Sequence, residues 1–243
     1  MDERLIRERY KVVRVLIDEP EYAAVEAVDI QDRERPDRLL NLYEGEALRR
    51  CSRMYAGLKS EDCPAFRRVF LDGQNKTLAA VFEDVQELPL SKAMQAKKPE
   101  REDRLLWAEG ILHAALTLNN LPDGLAWAAL RPDNLFLRDD GKTVALRFVV
   151  PPPPAERETP ARAAAERVLA VYPRRLCRTY AEAYFLDRLA DSDFASTVDL
   201  YAFWRRAKAE IDAEAEEAAK LGLIRRLIRR VRIYFYAMTG EMR

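Results

Sequence analysis

The sequence predicts an α+β fold in two parts, a small five-stranded sheet with one helix followed by a larger, mainly helical remainder. Two observations carry this expectation. The first ~85 residues hold short runs of β-branched and apolar residues, separated by turn residues at strand-like intervals. Beyond them apolar residues recur at helical spacing, with much Ala, Arg, Leu and Glu and only eight glycines in 243 residues. A hydrophobic fraction of 49% suits a packed chain rather than a disordered one.

Taken in order, Tyr10–Leu16 (YKVVRVL) reads as a strand and Glu21–Ile30 as its partner. Their connection, Ile17-Asp18-Glu19-Pro20-Glu21, holds three carboxylates and no glycine. After a polar turn, Arg38–Tyr43 is the third strand. Glu44–Leu58 places Ala47, Leu48, Cys51, Met54, Tyr55 and Leu58 on one helical face and ends near Gly57. Phe66–Leu71 and Thr77–Val85 make a hairpin across Asp72-Gly73-Gln74-Asn75. Gln86–Pro89 links this part to a short helix, Leu90–Ala96, and a solvated turn, Lys97-Lys98-Pro99-Glu100. Arg101–Leu118 has a wide apolar face, built on Leu105, Leu106, Ala108, Ile111, Leu112 and Ala115, and is the clearest helix of the chain. Further helices are expected at Pro160–Val171, Arg178–Leu189, Ala195–Ala218 and Leu221–Met238. The organisation read from these elements is 1–86, 87–205 and a C-terminal pair of helices, 206–243.

Between them lies the stretch around which the chain is organised, Gly124–Val150 (GLAWAALRPDNLFLRDDGKTVALRFVV). Leu130-Arg131-Pro132-Asp133-Asn134 opens an apolar run, Arg138-Asp139-Asp140-Gly141-Lys142 is a turn, and Thr143–Val150 is a second strand-like run. This pattern resembles the catalytic-loop region of protein kinases, H-R-D-L-K-P-E-N, then a hairpin, then D-F-G. The order of strands and helix before it resembles the small lobe of the same fold. The resemblance implies a two-lobed protein-kinase-like fold with a shortened large lobe.

Its key positions are filled by other chemistry. Trp127, Ala128 and Ala129 stand at H-R-D, and Arg147, Phe148 and Val149 at D-F-G. No lysine lies between Lys11 and Lys59, and Asn41 stands nearest the strand lysine of V-A-I-K. Without that lysine, Glu46 reads as surface charge. Phosphoryl transfer uses a catalytic-loop Asp near the substrate hydroxyl and a second Asp on magnesium. Ala129 cannot accept a proton, and Arg147 puts a cation where the metal would be. Arg147 is expected to point to solvent, with contact to a nucleotide phosphate as the alternative. Asn134 is expected to cap the loop through backbone hydrogen bonds rather than hold a metal. Asp199, opening the run Asp199-Leu200-Tyr201-Ala202-Phe203, resembles the kinase Asp that anchors the catalytic loop. Tyr180-Ala181-Glu182 stands where that family has A-P-E. Pro151–Pro154 reads as a stiff spacer.

Composition removes other classes. Charges balance at 41 basic and 41 acidic, so no global field favours nucleic acid. The three cysteines and single histidine, His113, are dispersed, which argues against a zinc site or a Ser-His-Asp hydrolase. The cysteines read as reduced thiols of a cytoplasmic protein. Met1–Arg9 is charged throughout, so no secretory leader is expected, and no apolar run approaches the ~18 residues of a membrane span. The C-terminal helix carries Arg225, Arg226, Arg229 and Arg230 among apolar residues. Two readings stand for it: packing against the acidic block Glu210–Glu217, or contact with an anionic membrane surface at the inner face.

The expectation is therefore a pseudokinase of bacterial type, a regulatory or scaffold module whose partner is another protein, with no cofactor and no metal. A kinase-like cytoplasmic module of a type VII secretion apparatus is a setting it resembles. The alternatives are an atypical nucleotide-binding or phosphoryl- or nucleotidyl-transferring enzyme using Asp133, Asn134 and Asp139 or Asp140, and a nucleotide sensor.

Overall fold

Alternation in the first third of the chain folds as antiparallel strands. In this computed structural model, which describes residues 5–73, 76–85, 87–96 and 99–239, the strands are Leu5–Ile6 (β1), Tyr10–Glu19 (β2), Tyr22–Asp29 (β3), Asp37–Tyr43 (β4), Phe66–Asp72 (β5) and Thr77–Glu83 (β6). They form one sheet in the order β1-β2-β3-β4-β6-β5, every neighbouring pair antiparallel. β1 is an addition to the five strands expected. Arg7 and Glu8 both take positive φ and fold Leu5–Ile6 back onto Tyr10–Lys11, inside a segment whose charge hid its strand character. Gln74–Asn75 of the expected turn, Gln86 of the expected hinge and the Lys97–Lys98 turn lie outside the described residues.

Helix α1, Gly45–Tyr55, follows β4 and buries Ala47, Cys51, Met54 and Tyr55. Its start is fixed by the turn between β2 and β3. The Ala47 amide donates to Glu21 Oε2 at 3.2 Å, so a carboxylate sits at the positive end of the helix. Gly45 has φ +51°, where glycine is the least strained residue, and a Cβ there would press on the same carboxylate. Burial holds Cys51 as a thiol, its pKa pushed up to about 12.

The remaining elements are Leu88–Pro89 (β7), Leu90–Ala96 (α2), Arg101–Thr117 (α3), Asp123–Ala129 (α4), Leu135–Leu137 (β8), Val144–Leu146 (β9), Pro160–Val171 (α5), Tyr180–Asp191 (α6), Thr197–Lys220 (α7) and Leu223–Thr239 (α8). β7, β8 and β9 form a second sheet in that order. The chain divides into two compact units. One gathers the residues up to Pro89 with Asn120–Phe136 and Ala145–Glu158; the other gathers Leu90–Asn119, Leu137–Val144 and the residues from Thr159 onward.

In the first unit the two faces of the sheet do different things. Ile6, Tyr10, Val25, Ala27, Leu40, Leu42, Ala79 and Val81 make an apolar cluster on one face. The period of two turns Tyr22, Glu26, Leu39, Asn41, Tyr43 and Phe82 to the other. There a chain of rings runs Tyr22–Tyr43–Tyr55–Phe66–Phe82–Phe148, with successive centroids 5.4, 5.9, 6.3, 5.5 and 5.1 Å apart. Such pairs add about 0.5–1.5 kcal/mol each beyond area burial.

The second unit is helical. α3 packs on α5 and α7, and α6 on α7, around Ile111, Leu112, Val168, Leu186 and Trp204. Glu182, only 1% exposed, pairs with Arg101 and accepts from the Thr179 amide at 3.1 Å and the Tyr172 hydroxyl at 3.3 Å. The hydroxyl of Thr179 answers by capping the Glu182 amide, a reciprocal closure of the first turn of α6. His113 lies exposed on α3, its ring 4.9 Å from that of Tyr201. Among the described residues no helix is long and apolar enough to cross a membrane.

The expected Asp-Gly turn forms after β8, with the Arg138 amide on Thr143 O at 2.9 Å. Asp140 Oδ1 accepts from the Lys142 and Thr143 amides, both at 2.8 Å, and Oδ2 from Thr143 Oγ1 at 2.5 Å. These bonds favour the ionised carboxylate and lower its pKa to about 2. A depressed folded pKa contributes stability above the ordinary Asp range and loses it as pH falls through the folded value. Carbon-detected NMR titration of Asp140 should give a midpoint near 2. A midpoint in the ordinary Asp range, near about 3.9, would contradict the turn geometry.

Candidate functional site

Of the residues singled out by sequence, Asn41, Asn134, Arg147, Phe148 and Val149 belong to the first unit and gather at the second face of the six-stranded sheet, whereas Asp139, Asp140, Asp199 and the α8 arginines belong to the second unit. Positions on this face follow from register: Ala24, Asn41 and Ala80 align across β3, β4 and β6, and Glu26, Leu39 and Phe82 align one step along. Under this face run α4, a 3-10 turn at Pro132–Asn134, and the segment Arg147–Val150.

Arg147 is not directed to solvent, as expected, but buried with 7% exposure. Its guanidinium grips Asp84 with two donors, Nε to Oδ1 at 2.8 Å and Nη2 to Oδ2 at 3.0 Å. Nη2 also donates to Glu26 Oε1 at 2.5 Å. The Phe136 ring centroid lies 5.6 Å from Cζ of the same group. Glu26 is shared with the more exposed Arg14. Solvent exposure was the wrong expectation because it treated β9 as a long surface strand. The strand stops at Leu146, and the turn away from it carries Arg147 inward against two carboxylates.

The two acids respond in opposite directions. Burial raises the pKa of Glu26, but hydrogen bonds from Arg14 and Arg147 outweigh it and leave the group below its usual value. Burial is the larger influence at Asp84, whose side chain is fully inaccessible, and its pKa stays raised despite Arg147. Neither partner was found by sequence reading. Glu26 could have been: it is the one charged residue inside the apolar run Tyr22–Val28.

Asn41, at the strand-lysine position, is fully buried and makes three hydrogen bonds. Its Nδ2 donates to Phe148 O at 2.8 Å, and its Oδ1 accepts from the Val150 amide at 2.8 Å and the Tyr22 hydroxyl at 2.9 Å. Tyr43 adds a bond to Val150 O at 2.7 Å and shares another with Tyr55 at 2.7 Å. Burial pushes both phenols well above their ordinary pKa, so they stay neutral. Phe148 stacks on Phe82 with planes 4° apart. β4 thus holds Phe148–Val150 by an amide and a phenol rather than by charge. Glu46 is exposed on the first turn of α1.

Asn134 does cap the loop. Its Nδ2 donates to Ala128 O at 2.7 Å and Val149 O at 2.8 Å, while Oδ1 accepts from the Val149 amide at 3.1 Å. Both amide protons and one lone pair are thereby used. Trp127, Ala128 and Ala129, the residues matched to H-R-D, lie in helix α4. The Ala-rich run after Asp123 favours a helical turn, and Ala128 and Ala129 are fully buried in it. Trp127 is half-buried, with Arg131 Cζ 6.0 Å from its ring centroid. Asp133 and Asp139 are exposed, and Asp140 closes its own turn.

Asp199 departs from the anchoring role its resemblance implied. It is exposed in the first turn of α7, where its amide donates to Ser196 Oγ at 3.1 Å and its carboxylate accepts from the same hydroxyl at 2.8 Å. Its bonds cap its own helix. In α8, Arg229 pairs with Glu214 at 3.0 Å and Arg226 bonds the carbonyls of Ala219 and Leu221, while Arg225 and Arg230 are exposed.

Replacing Asn41 by Leu would leave the Val150 amide, the Phe148 carbonyl and the Tyr22 hydroxyl without their partner, at about 1–3 kcal/mol for each group not re-satisfied. Urea unfolding of Asn41→Leu should therefore show a loss of about 3 kcal/mol or more. A loss below about 1 kcal/mol would mean the amide is not the tie between β4 and this segment.

No family model matches the sequence, and no curated protein matches it. Among solved structures, the kinase domain of PknI from Mycobacterium tuberculosis is similar in fold. At 13% identity, 85% of this chain overlays 99% of that domain with a TM-score of 0.56. A substituted form of the same domain gives 13% identity, 86% and 99% coverage and a TM-score of 0.55. Identity this low carries the fold alone, and the fold is clear: this chain has a protein-kinase-like α+β fold, with a small sheet lobe and a helical lobe.

Proposed function

We propose that this chain is a pseudokinase, a cytoplasmic regulatory or scaffold module of bacterial type that acts by binding another protein and transfers no phosphoryl group. The observation that carries the reading is the Arg147 cluster. In kinases the D-F-G Asp at this position faces magnesium. Here the position holds a guanidinium tied to Glu26 on β3 and to Asp84 beside the expected hinge, where kinases hold adenine.

The residues at the other key positions do not fit a magnesium–nucleotide complex either. A magnesium site takes one or two carboxylates besides phosphate oxygens. Glu26 and Asp84 are already neutralised by arginine, and Asn134 spends its amide on backbone groups. Asn41 has no charge to offer a phosphate, and its amide is held by Phe148, Val150 and Tyr22. At the turn that covers phosphates in kinases, the Glu21 carboxylate instead closes the start of α1. Asp140 and Asn134, the residues an atypical transferase would recruit, serve turn and loop closure. Function on this reading lies in surfaces held in a fixed arrangement.

Thermal unfolding with millimolar ATP, with and without magnesium, tests this directly. A ligand at 100 times its Kd adds about 2.7 kcal/mol and moves Tm by several degrees. The expected result is an unchanged Tm in both conditions. A rise that requires magnesium would overturn the proposal in favour of an enzyme, and a rise with ATP alone in favour of a nucleotide sensor.

A further inference from the structure

Helix α8 turns its apolar side away from the body it packs on. The packed edge is narrow: Ile233 and Ala237 are buried, the Tyr236 ring meets Tyr180 at 5.5 Å, and Arg229 pairs with Glu214. Leu223, Ile224, Leu227, Ile228, Val231, Tyr234, Phe235 and Met238 are all exposed, from 49% to 84%. At 100° per residue these eight fill one continuous arc of about 140°, roughly opposite Ile233. Arg232 and Arg225 border the arc on one side, and Arg230 and Arg226 on the other. The helix holds five arginines and no acidic residue.

We infer that this face docks on an anionic lipid bilayer, lying in the interface with its apolar arc in the acyl boundary and arginines on both flanks among the headgroups. A second copy of the chain fits the face less well. The arc is wider than the two positions per heptad of a coiled-coil seam. Pairing α8 with itself would also set arginine beside arginine with no acid on either helix to offset them. Tyr234 and Phe235 add aromatic rings to the apolar arc, as interfacial helices carry on that face. The inference stands on α8 alone and is independent of whether the sheet lobe binds nucleotide.

The test is sedimentation of the full chain with phosphatidylcholine vesicles, alone or with phosphatidylglycerol as one third of the lipid. Two variants accompany it, Leu227→Glu with Phe235→Glu, and Arg225→Glu with Arg232→Glu. The four positions are exposed, so circular dichroism and Tm should match the parent chain and verify folding. The expected result is binding to the anionic vesicles only, reduced by high salt. Each arginine near such a surface contributes about 1 kcal/mol, so removing two weakens binding at least thirtyfold. The apolar variant should lose binding altogether. Absence of sedimentation with anionic vesicles, equal binding to neutral ones, or retention by either variant would overturn the inference. So would a dimer in light scattering that the apolar variant makes monomeric without any vesicle binding.

Discussion

A guanidinium taken out of water costs several kcal/mol unless acids of good geometry receive it, and an unpaired carboxylate buried beside it costs as much. Asp84 meets that condition through Arg147, and Glu26 through Arg147 and Arg14 together. The consequence spreads along the chain. Arg147 fixes where β9 ends and where Phe148 begins, which sets Phe148 on Phe82 and brings Val150 to Asn41 and Tyr43. Asn134 ties the same segment from beneath, through both polar groups of Val149. A stretch that in active kinases is free to rearrange around a metal is here pinned at four successive residues. Loss of one charge would release more than one contact.

The same economy explains which features were legible in the sequence. Element order and most boundaries followed from period and turn chemistry, because burial on one face of a strand or helix imposes them; Pro160–Val171 was read as it folds, helped by Pro at its first turn. The Leu130–Asn134 frame was readable because a loop closed by an Asn side chain needs that residue at that spacing. What escaped was pairing at a distance. Nothing in the local pattern of Arg147 names Glu26, 121 residues away, or Asp84, 63 away. A lone charge on an apolar strand signals that a partner exists without saying which. Helix α4 escaped for a different reason. Trp127–Ala129 was matched to H-R-D without any secondary-structure assignment, although the Ala-rich composition of the run favours the helix that forms.

The helical unit follows similar physics with a different outcome at its end. Glu182, matched to its family position by only three residues, proves to be a buried anchor: it pairs with Arg101, and the amides that open α6 close on it. Asp199, by contrast, keeps its letter but serves its own helix start. In α8 a narrow edge packs through Arg229 and Ile233, as the packing reading expected, while the wide apolar arc remains exposed.

The cluster beneath the sheet can be probed without any ligand. A double-mutant cycle of Arg147→Met and Glu26→Gln, read by urea unfolding at neutral pH, measures the interaction itself. The account predicts that Arg147→Met alone costs about 3–5 kcal/mol, because Asp84 is left buried without its arginine and Glu26 keeps only Arg14, and that the pair departs from additivity by about 1–3 kcal/mol. Additive losses within about 0.5 kcal/mol would contradict it, since groups in contact within one charged network do not behave as strangers.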